Sequence, residues 1–237
     1  MVDSDAEFYK HEFTATLLNN PPECGIIFIE PPDFCRENFK EVHNMKICVY
    51  GAASPTIDRD YIEKVELLGA EMASRGHSLV FGGGANGLMG AAARGVHSKN
   101  GHIVGIIPKF FDDDGVEAIC DFCDELIFTG TMRERKQTME DSSDAFIVVP
   151  GGIGTFEEFF EILTLKQLCR HNKPIAIYNI NGYYNELNTV MEEAMKKNFI
   201  RGNCAELYKF TEDPKELIDY IEAPVEEVRT VKELKDG

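Results

Sequence analysis

The sequence predicts a single doubly wound α/β domain, a mostly parallel sheet with helices on both faces. Three observations carry that reading. From Met45 onward, seven short apolar runs recur at regular spacing. Most are near-continuous rather than alternating, as parallel strands covered on both faces require. Segments with apolar residues at helical spacing separate them, and strand alternating with helix at this period builds a layered α/β sheet.

Taken in order, residues 1–44 have a different texture. Pro21-Pro22 and Pro31-Pro32 bracket the apolar run Gly25-Ile26-Ile27-Phe28-Ile29, and we read this stretch as an N-terminal extension. Lys46–Tyr50 is the first expected strand. Tyr61 to Met72 then carries Val65, Leu68 and Met72 on one helical face, a crossover helix. Ser78–Phe81 is followed by a glycine-rich turn and a helix of small residues (Ala91, Ala92, Ala93, Gly95). The remaining strands are His102–Ile107, Glu125–Phe128, Ala145–Val149, Pro174–Tyr178 and Leu207–Phe210. Tyr183 to Met195, with Leu187, Val190, Met191 and Met195, forms a second crossover helix. The domain is expected over residues 45–222, and residues 223–237 read as a Glu/Lys/Val-rich tail.

Charge narrows the functions. Among 237 residues, 24 Lys and Arg face 41 Asp and Glu, a net charge of −17. A general nucleic-acid partner is excluded by that balance, because phosphate-backbone affinity needs a basic surface. No stretch approaches the roughly 20 apolar residues of a membrane span, and the acidic start Met1-Val2-Asp3-Ser4-Asp5-Ala6-Glu7 is unlike a signal peptide, so no membrane partner and a cytoplasmic location are expected. Seven cysteines (Cys24, Cys35, Cys48, Cys120, Cys123, Cys169, Cys204) spread through a chain of this length do not form a disulfide framework. Cys120 and Cys123 make a lone CxxC with no second pair, which reads as structural thiols rather than a metal or redox site.

Three constellations carry chemistry. In the first, Gly82, Gly84 and Gly87 match G-x-G-x-x-G after a strand, without a clear acidic residue about twenty positions on. Two readings stay open: a phosphate or ribose cradle involving Gly83 and Gly84, or close helix–sheet packing. The second is Val148-Val149-Pro150-Gly151-Gly152-Ile153-Gly154-Thr155-Phe156-Glu157-Glu158. A strand ends in a glycine turn whose N–H groups can converge on an anion, and a helix follows with the positive end of its dipole. No Gly-Lys-Ser/Thr follows, so this is not a P-loop. Thr155 and Glu158 fit Thr-x-x-Glu, which predicts a helix starting near Thr155, with Thr155 as its N-cap and Glu158 as the reciprocal partner. Glu157, Glu158 and Glu161 together are more negative charge than a cap requires. An apolar stripe of Phe156, Phe159, Phe160 and Leu163 is expected to face the core.

The third constellation runs from Thr129 to Met139. Thr131 and Glu134 read as a capping box, and Met132, Arg135, Lys136 and Met139 share a helical face. Two cations on an apolar face either snorkel to solvent or hold a phosphate or carboxylate in a cleft.

The run Pro150-Gly151-Gly152-Ile153-Gly154-Thr155-Phe156-Glu157-Glu158 resembles the PGGxGTxxE signature of the Lonely Guy (LOG) family. These are cytokinin riboside 5′-monophosphate phosphoribohydrolases long mislabelled as lysine decarboxylases. Gly82-Gly83-Gly84, Gly87-Leu88-Met89-Gly90, Arg135-Lys136, Lys173-Pro174 and Asn181-Gly182-Tyr183-Tyr184 fall in the family's order and spacing. The resemblance implies a Rossmann-like fold and hydrolysis of the N-glycosidic bond of a nucleoside 5′-monophosphate, AMP or N6-modified AMP, without cofactor or metal. It implies Arg135 and Glu158 as the catalytic pair. Nucleotide contacts would come from Lys136, Gly152, Ile153, Gly154, Thr155, Phe156, Glu157, Thr164 and Glu117, with Gly151 in the same turn. It further implies a homodimer or an assembly of dimers whose site is completed across a subunit boundary. The chain departs from the family at Arg133, where His is common, and at Leu165, where Trp is common. Both flank the pocket, so the base is not carried over. The rival is a non-catalytic carrier of a nucleotide or of molybdenum cofactor, which shares the architecture. Amino-acid decarboxylation has no Ser-x-His-Lys-type motif to support it.

Overall fold

The computed structural model describes residues 44–113, 118–200 and 202–224, all within the unit Lys40–Gly237. Except for Asn44, Ala223 and Pro224, the extension and tail expected from sequence lie outside the described residues, as does Glu117. The elements are β1 (Lys46–Tyr50), α1 (Arg59–Ser74), β2 (Ser78–Phe81), α2 (Gly87–His97), β3 (Ile103–Pro108), α3 (Lys109–Asp113), β4 (Glu125–Thr129), α4 (Met132–Asp141), β5 (Ala145–Val148), α5 (Ile153–Gln167), β6 (Ile175–Tyr178), α6 (Asn185–Lys196), β7 (Lys209–Thr211) and α7 (Pro214–Ile221).

The strands form one sheet in the order β4-β3-β2-β1-β5-β6-β7, and every pairing between them is parallel. Each of the seven expected strands is present. Five differ in their bounds: β4 ends one residue later, β5 ends and β6 begins one residue inside the expected range, β3 runs from Ile103 to Pro108, and β7 begins only at Lys209, because residues 202–207 wind into a short 3₁₀ segment. The chain moves outward from β1 through β2 and β3 to β4, then returns to lay β5 against the other side of β1. That reversal leaves a crevice beyond the carboxyl ends of β1 and β5, where open α/β sheets bind their ligands.

Alternate residues of the central strands feed two cores. Ile47, Val49, Leu79, Phe81 and Ile147 pack with α1, α2 and α7, whereas Cys48, Tyr50, Val80, Phe146 and Val148 pack with α4, α5 and Met191 of α6. The small residues of α2 permit its contact with α1: a side chain at Gly95 would come within 2.0 Å of the Glu66 carbonyl oxygen. The packing served by these small residues is thus helix on helix, where the sequence reading had helix on sheet. Among the described residues, no helix is long and apolar enough to cross a membrane.

The start of α5 corrects the sequence reading. Its N-cap is Gly152 in an extended conformation, the first turn closes from Phe156 N–H to the Gly152 carbonyl at 3.0 Å, and no side chain caps it. Thr155 is therefore inside the first turn and buried, not the N-cap, and Glu158 is in the second turn with a different partner. A glycine at the strand exit lets the chain enter the helix three residues early, which no Thr-x-x-Glu count anticipates. The expected stripe also divides: Phe159 and Leu163 are buried, Phe156 is partly buried, and Phe160 is 39% exposed.

Candidate active site

The site is built where the exits of β1, β2 and β5 meet. Ala52 N–H donates to the Pro150 carbonyl at 3.1 Å, and Leu88 N–H donates to the Ala52 carbonyl at 2.8 Å, which ties the three exits together. Behind the turn, Tyr183 Oη donates to the Gly151 carbonyl at 2.7 Å and Tyr184 Oη to the Val149 carbonyl at 2.8 Å. With their carbonyls held from that side, Val149 to Gly151 present the following N–H groups at the uncapped start of α5, where the helix dipole adds positive potential. The space beside Gly152 and Gly154 is open, with nothing within 4 Å of where a side chain would begin.

A cleft of about 340 Å³ opens against this turn, lined by Ala52, Thr56, Ile57, Asp58, Tyr61, Leu88, Pro150, Gly151, Gly152 and Tyr183. Tyr61 and Tyr183 meet edge to face across 6.3 Å. Sequence reasoning assigned no role to the loop from Gly51 to Asp58, nor to Tyr61. The signal available was the irregular, Ser/Pro/Thr-bearing loop after the first strand, but only the strand order shows that this loop faces β5.

On α4 and α5 lies the charged group. Arg135 is 5% exposed. Its Nε donates to the Ile106 carbonyl at 3.1 Å and its Nη1 to Glu158 Oε1 at 3.3 Å. A side chain at Gly82 would fall 1.9 Å from Arg135 Nη2, so the glycine after β2 is what admits the guanidinium. Burial pushes the Glu158 carboxyl up to about 7, against the opposing pull of Arg135 and with a further push from Glu157. Lys136 pairs with Glu157 and with Glu161 Oε2, the latter at 2.7 Å. Burial opposes its charge, but these two carboxylates outweigh burial and hold its pKa above the usual lysine value.

Thr131 caps α4 by accepting from Glu134 N–H at 3.1 Å. Glu134 reaches back one residue further than expected, to Gly130 N–H at 2.7 Å. Arg135, Lys136, Glu157 and Glu158 thus come together; the cleft ends at Gly152, the N-cap of α5, and the ion pair uses the second turn of that helix. Gly83 adopts φ +77° against Ile107, and Gly84 bridges to Ile119. Ile153 is 88% exposed. Thr164 is exposed on α5 about ten residues, roughly 15 Å, beyond the glycine turn, so one chain does not bring it to the cleft.

The chain is similar to several known proteins. A family model described as "Possible lysine decarboxylase" matches residues 89–221. A cytokinin riboside 5′-monophosphate phosphoribohydrolase of Arabidopsis thaliana is 36% identical over 178 residues, covering 75% of this chain and 77% of that protein. A second from the same plant is 36% identical over 186 residues, 78% and 86% of the two chains. A probable enzyme of the same name from Oryza sativa subsp. japonica is 36% identical over 177 residues, 75% and 72%. Among solved structures, the molybdenum cofactor binding protein of Rippkaea orientalis superposes with TM-score 0.58 at 22% identity, covering 76% of this chain and 96% of that one. The molybdenum cofactor carrier protein of Chlamydomonas reinhardtii gives 0.58 at 23%, with 76% and 96% covered. At those identities the likeness concerns the fold alone. The match to the family model over residues 89–221, together with relatives at 36% identity, establishes that the chain belongs to the Lonely Guy (LOG) family, the family that the "Possible lysine decarboxylase" description denotes.

Proposed function

We propose that residues 45–222 form a nucleoside 5′-monophosphate phosphoribohydrolase, which hydrolyses the N-glycosidic bond of AMP or an N6-modified AMP to free base and ribose 5-phosphate. The observation that supports the reading is the buried Arg135–Glu158 pair, with Glu158 on the helix whose uncapped start follows the glycine turn, in a chain whose relatives bear that enzyme's name. The 5′-phosphate would lie on the N–H groups of Gly152, Ile153 and Gly154 at the start of α5. Its binding energy would fix the ribose, and Arg135 would orient the nucleotide.

As the glycosidic bond breaks, positive charge develops on the sugar, and a carboxylate in a dry setting stabilises it. Glu158 supplies that carboxylate. Water adds its oxygen to the sugar carbon while one of its protons passes to Glu158. A carboxyl held near 7 can release that proton again toward the departing base within the same cycle.

We place the enzyme in the cytoplasm, as a homodimer or assembly of dimers. Support for the dimer comes from Met132, Ile153, Phe160 and Leu168, large apolar side chains exposed on and just after α4 and α5. Thr164, out of reach within one chain, would serve a site shared with a second copy. Light scattering should give at least twice the 26.6 kDa chain mass, and a monomer at micromolar concentration would refute the assembly. For activity, the test is a panel of nucleoside monophosphates with chromatography of the released bases. Base release from AMP supports the enzyme, and tight binding of a nucleotide or pterin without release would favour the carrier reading that the fold likeness leaves open.

A further inference from the structure

The motif Asn181-Gly182-Tyr183-Tyr184 lies between β6 and α6, and both of its tyrosines bond the exit of β5. Two successive residues in the left-handed region, Asn181 at φ 55° and Gly182 at φ 71°, turn the chain there. Buried Asn179 fixes the turn. Its Oδ1 accepts from Tyr184 N–H at 2.7 Å, and its Nδ2 donates to Asn185 Oδ1 at 2.8 Å and to Glu212 Oε1 at 3.1 Å. Asn181 ties the same turn to α1, donating through Nδ2 to Asp60 Oδ2 at 2.6 Å and accepting from Lys64 Nζ at 2.5 Å. The Tyr183 ring meets Tyr184 edge to face at 4.9 Å and Tyr61 at 6.3 Å. Held by backbone, hydrogen bonds and rings together, the Tyr183 hydroxyl has a defined position.

The two tyrosine bonds differ in what they control. In a trans peptide the carbonyl and the following N–H point in opposite directions, so fixing the one fixes the other. Tyr184 Oη holds the Val149 carbonyl, and the next residue is Pro150, which has no N–H to aim. Tyr183 Oη holds the Gly151 carbonyl, and the next N–H belongs to Gly152, the N-cap of α5. That peptide joins two glycines, and nothing lies within 4 Å of where a Gly152 side chain would begin. With no Cβ on either residue, rotation of the peptide meets little steric resistance. Its direction therefore depends on the hydrogen bond from Tyr183.

We propose that Tyr183 is a positioning residue for the 5′-phosphate: its hydroxyl aims the Gly152 N–H at the anion and so sets the preference for a phosphorylated substrate. The inference rests on the reading of the start of α5 as the phosphate site of a phosphoribohydrolase. Tyr183 also lines the cleft together with Gly151 and Gly152, so the side chain that orients the turn borders the space the nucleotide enters. Tyr184, only 1% exposed, holds the strand exit and aims no donor.

The test uses the full chain as wild type, Tyr183→Phe and Tyr184→Phe. Each is titrated calorimetrically with ribose 5-phosphate, which has no glycosidic bond to cleave. Each is also assayed for base release from AMP and from adenosine, beside a thermal melt. Tyr183→Phe should weaken ribose 5-phosphate binding and raise KM for AMP about ten-fold, the scale of one hydrogen bond to a charged group. Its kcat should change less than about three-fold, and kcat/KM for adenosine should stay as in wild type. Tyr184→Phe should lower the melt while keeping the affinity for ribose 5-phosphate within about two-fold of wild type, because it aims no donor. Unchanged affinity in Tyr183→Phe, an equal loss for AMP and adenosine, or the same loss in Tyr184→Phe would each overturn the assignment. A wild type that binds ribose 5-phosphate, with weakening in Tyr183→Phe, but releases no base would refute the phosphoribohydrolase reading and leave this inference standing. A wild type without affinity for ribose 5-phosphate would overturn this inference even if it released base.

Discussion

The two glycine turns of this protein look alike in sequence and differ in what presses on them. After β2, Gly82 is backed by Arg135 Nη2 and Gly83 by Ile107, so their missing side chains make room for other parts of the protein. After β5, Gly152 and Gly154 face open space and Gly151 alone is crowded, by Thr155. The first turn shapes the site from behind, and the second leaves room for what binds. Glycine in a strand-to-helix turn therefore has two uses that a motif search does not separate.

Removing the group the first turn accommodates should have the largest effect. Arg135→Ala leaves Glu158 buried without its cation and removes the group proposed to orient the nucleotide. We expect turnover of AMP to fall on the order of 10²–10⁴-fold and the melting temperature to fall as well, since breaking a buried pair is costly. Next is Gly82→Ala, whose methyl group collides with the guanidinium 1.9 Å away. It should lower kcat about 10²-fold by misplacing the pair and destabilise the fold by roughly 1–3 kcal/mol through overpacking. In contrast, Gly152→Ala has the space and a permitted backbone conformation. Its melt should stay within about 2 °C of wild type, because lost capping and lost unfolded-state entropy nearly cancel. KM for AMP should still rise about ten-fold as the methyl group enters the proposed phosphate site. If Gly152→Ala destabilised the protein as much as Gly82→Ala, the contrast between the turns would fail.

A smaller effect follows from Glu158 alone. Its folded pKa, about 7, lies above the ordinary value of 4.5, so its contribution to stability is complete below about pH 4.5 and is lost as pH rises through 7. Melts of wild type and Glu158→Gln compared across that window should show wild type losing ground as pH rises, by on the order of 2–3 kcal/mol. A constant difference between the two would mean that the carboxyl titrates normally.

Much of this was legible in the sequence, for physical reasons. Strands covered on both faces must be apolar throughout, so Lys46–Tyr50 and Ser78–Phe81 announced themselves to the residue. Arg135 and Lys136 broke an apolar face and therefore had to find partners, and they did so in Glu158, Glu157 and Glu161. What stayed hidden depended on distant parts of the chain. Thr155 and Glu158 satisfy a local capping pattern, but the backbone of Gly152 and the guanidinium 23 residues away decide otherwise. The cleft walls at Asp58, Tyr61 and Tyr183 meet only because β1 lies beside β5, and nothing local in those residues encodes that neighbour.

The central claim is that the carboxylate of Glu158 acts on the substrate. Since Glu158 caps no helix, its amide counterpart removes charge while keeping shape and a partner for Arg135. The measurement is the initial rate of base release from AMP by Glu158→Gln at pH 8, beside a thermal melt. We expect the rate to fall on the order of 10²–10⁴-fold while the protein remains folded with a cooperative transition. A folded Glu158→Gln protein that releases base at near wild-type rate would contradict the assignment.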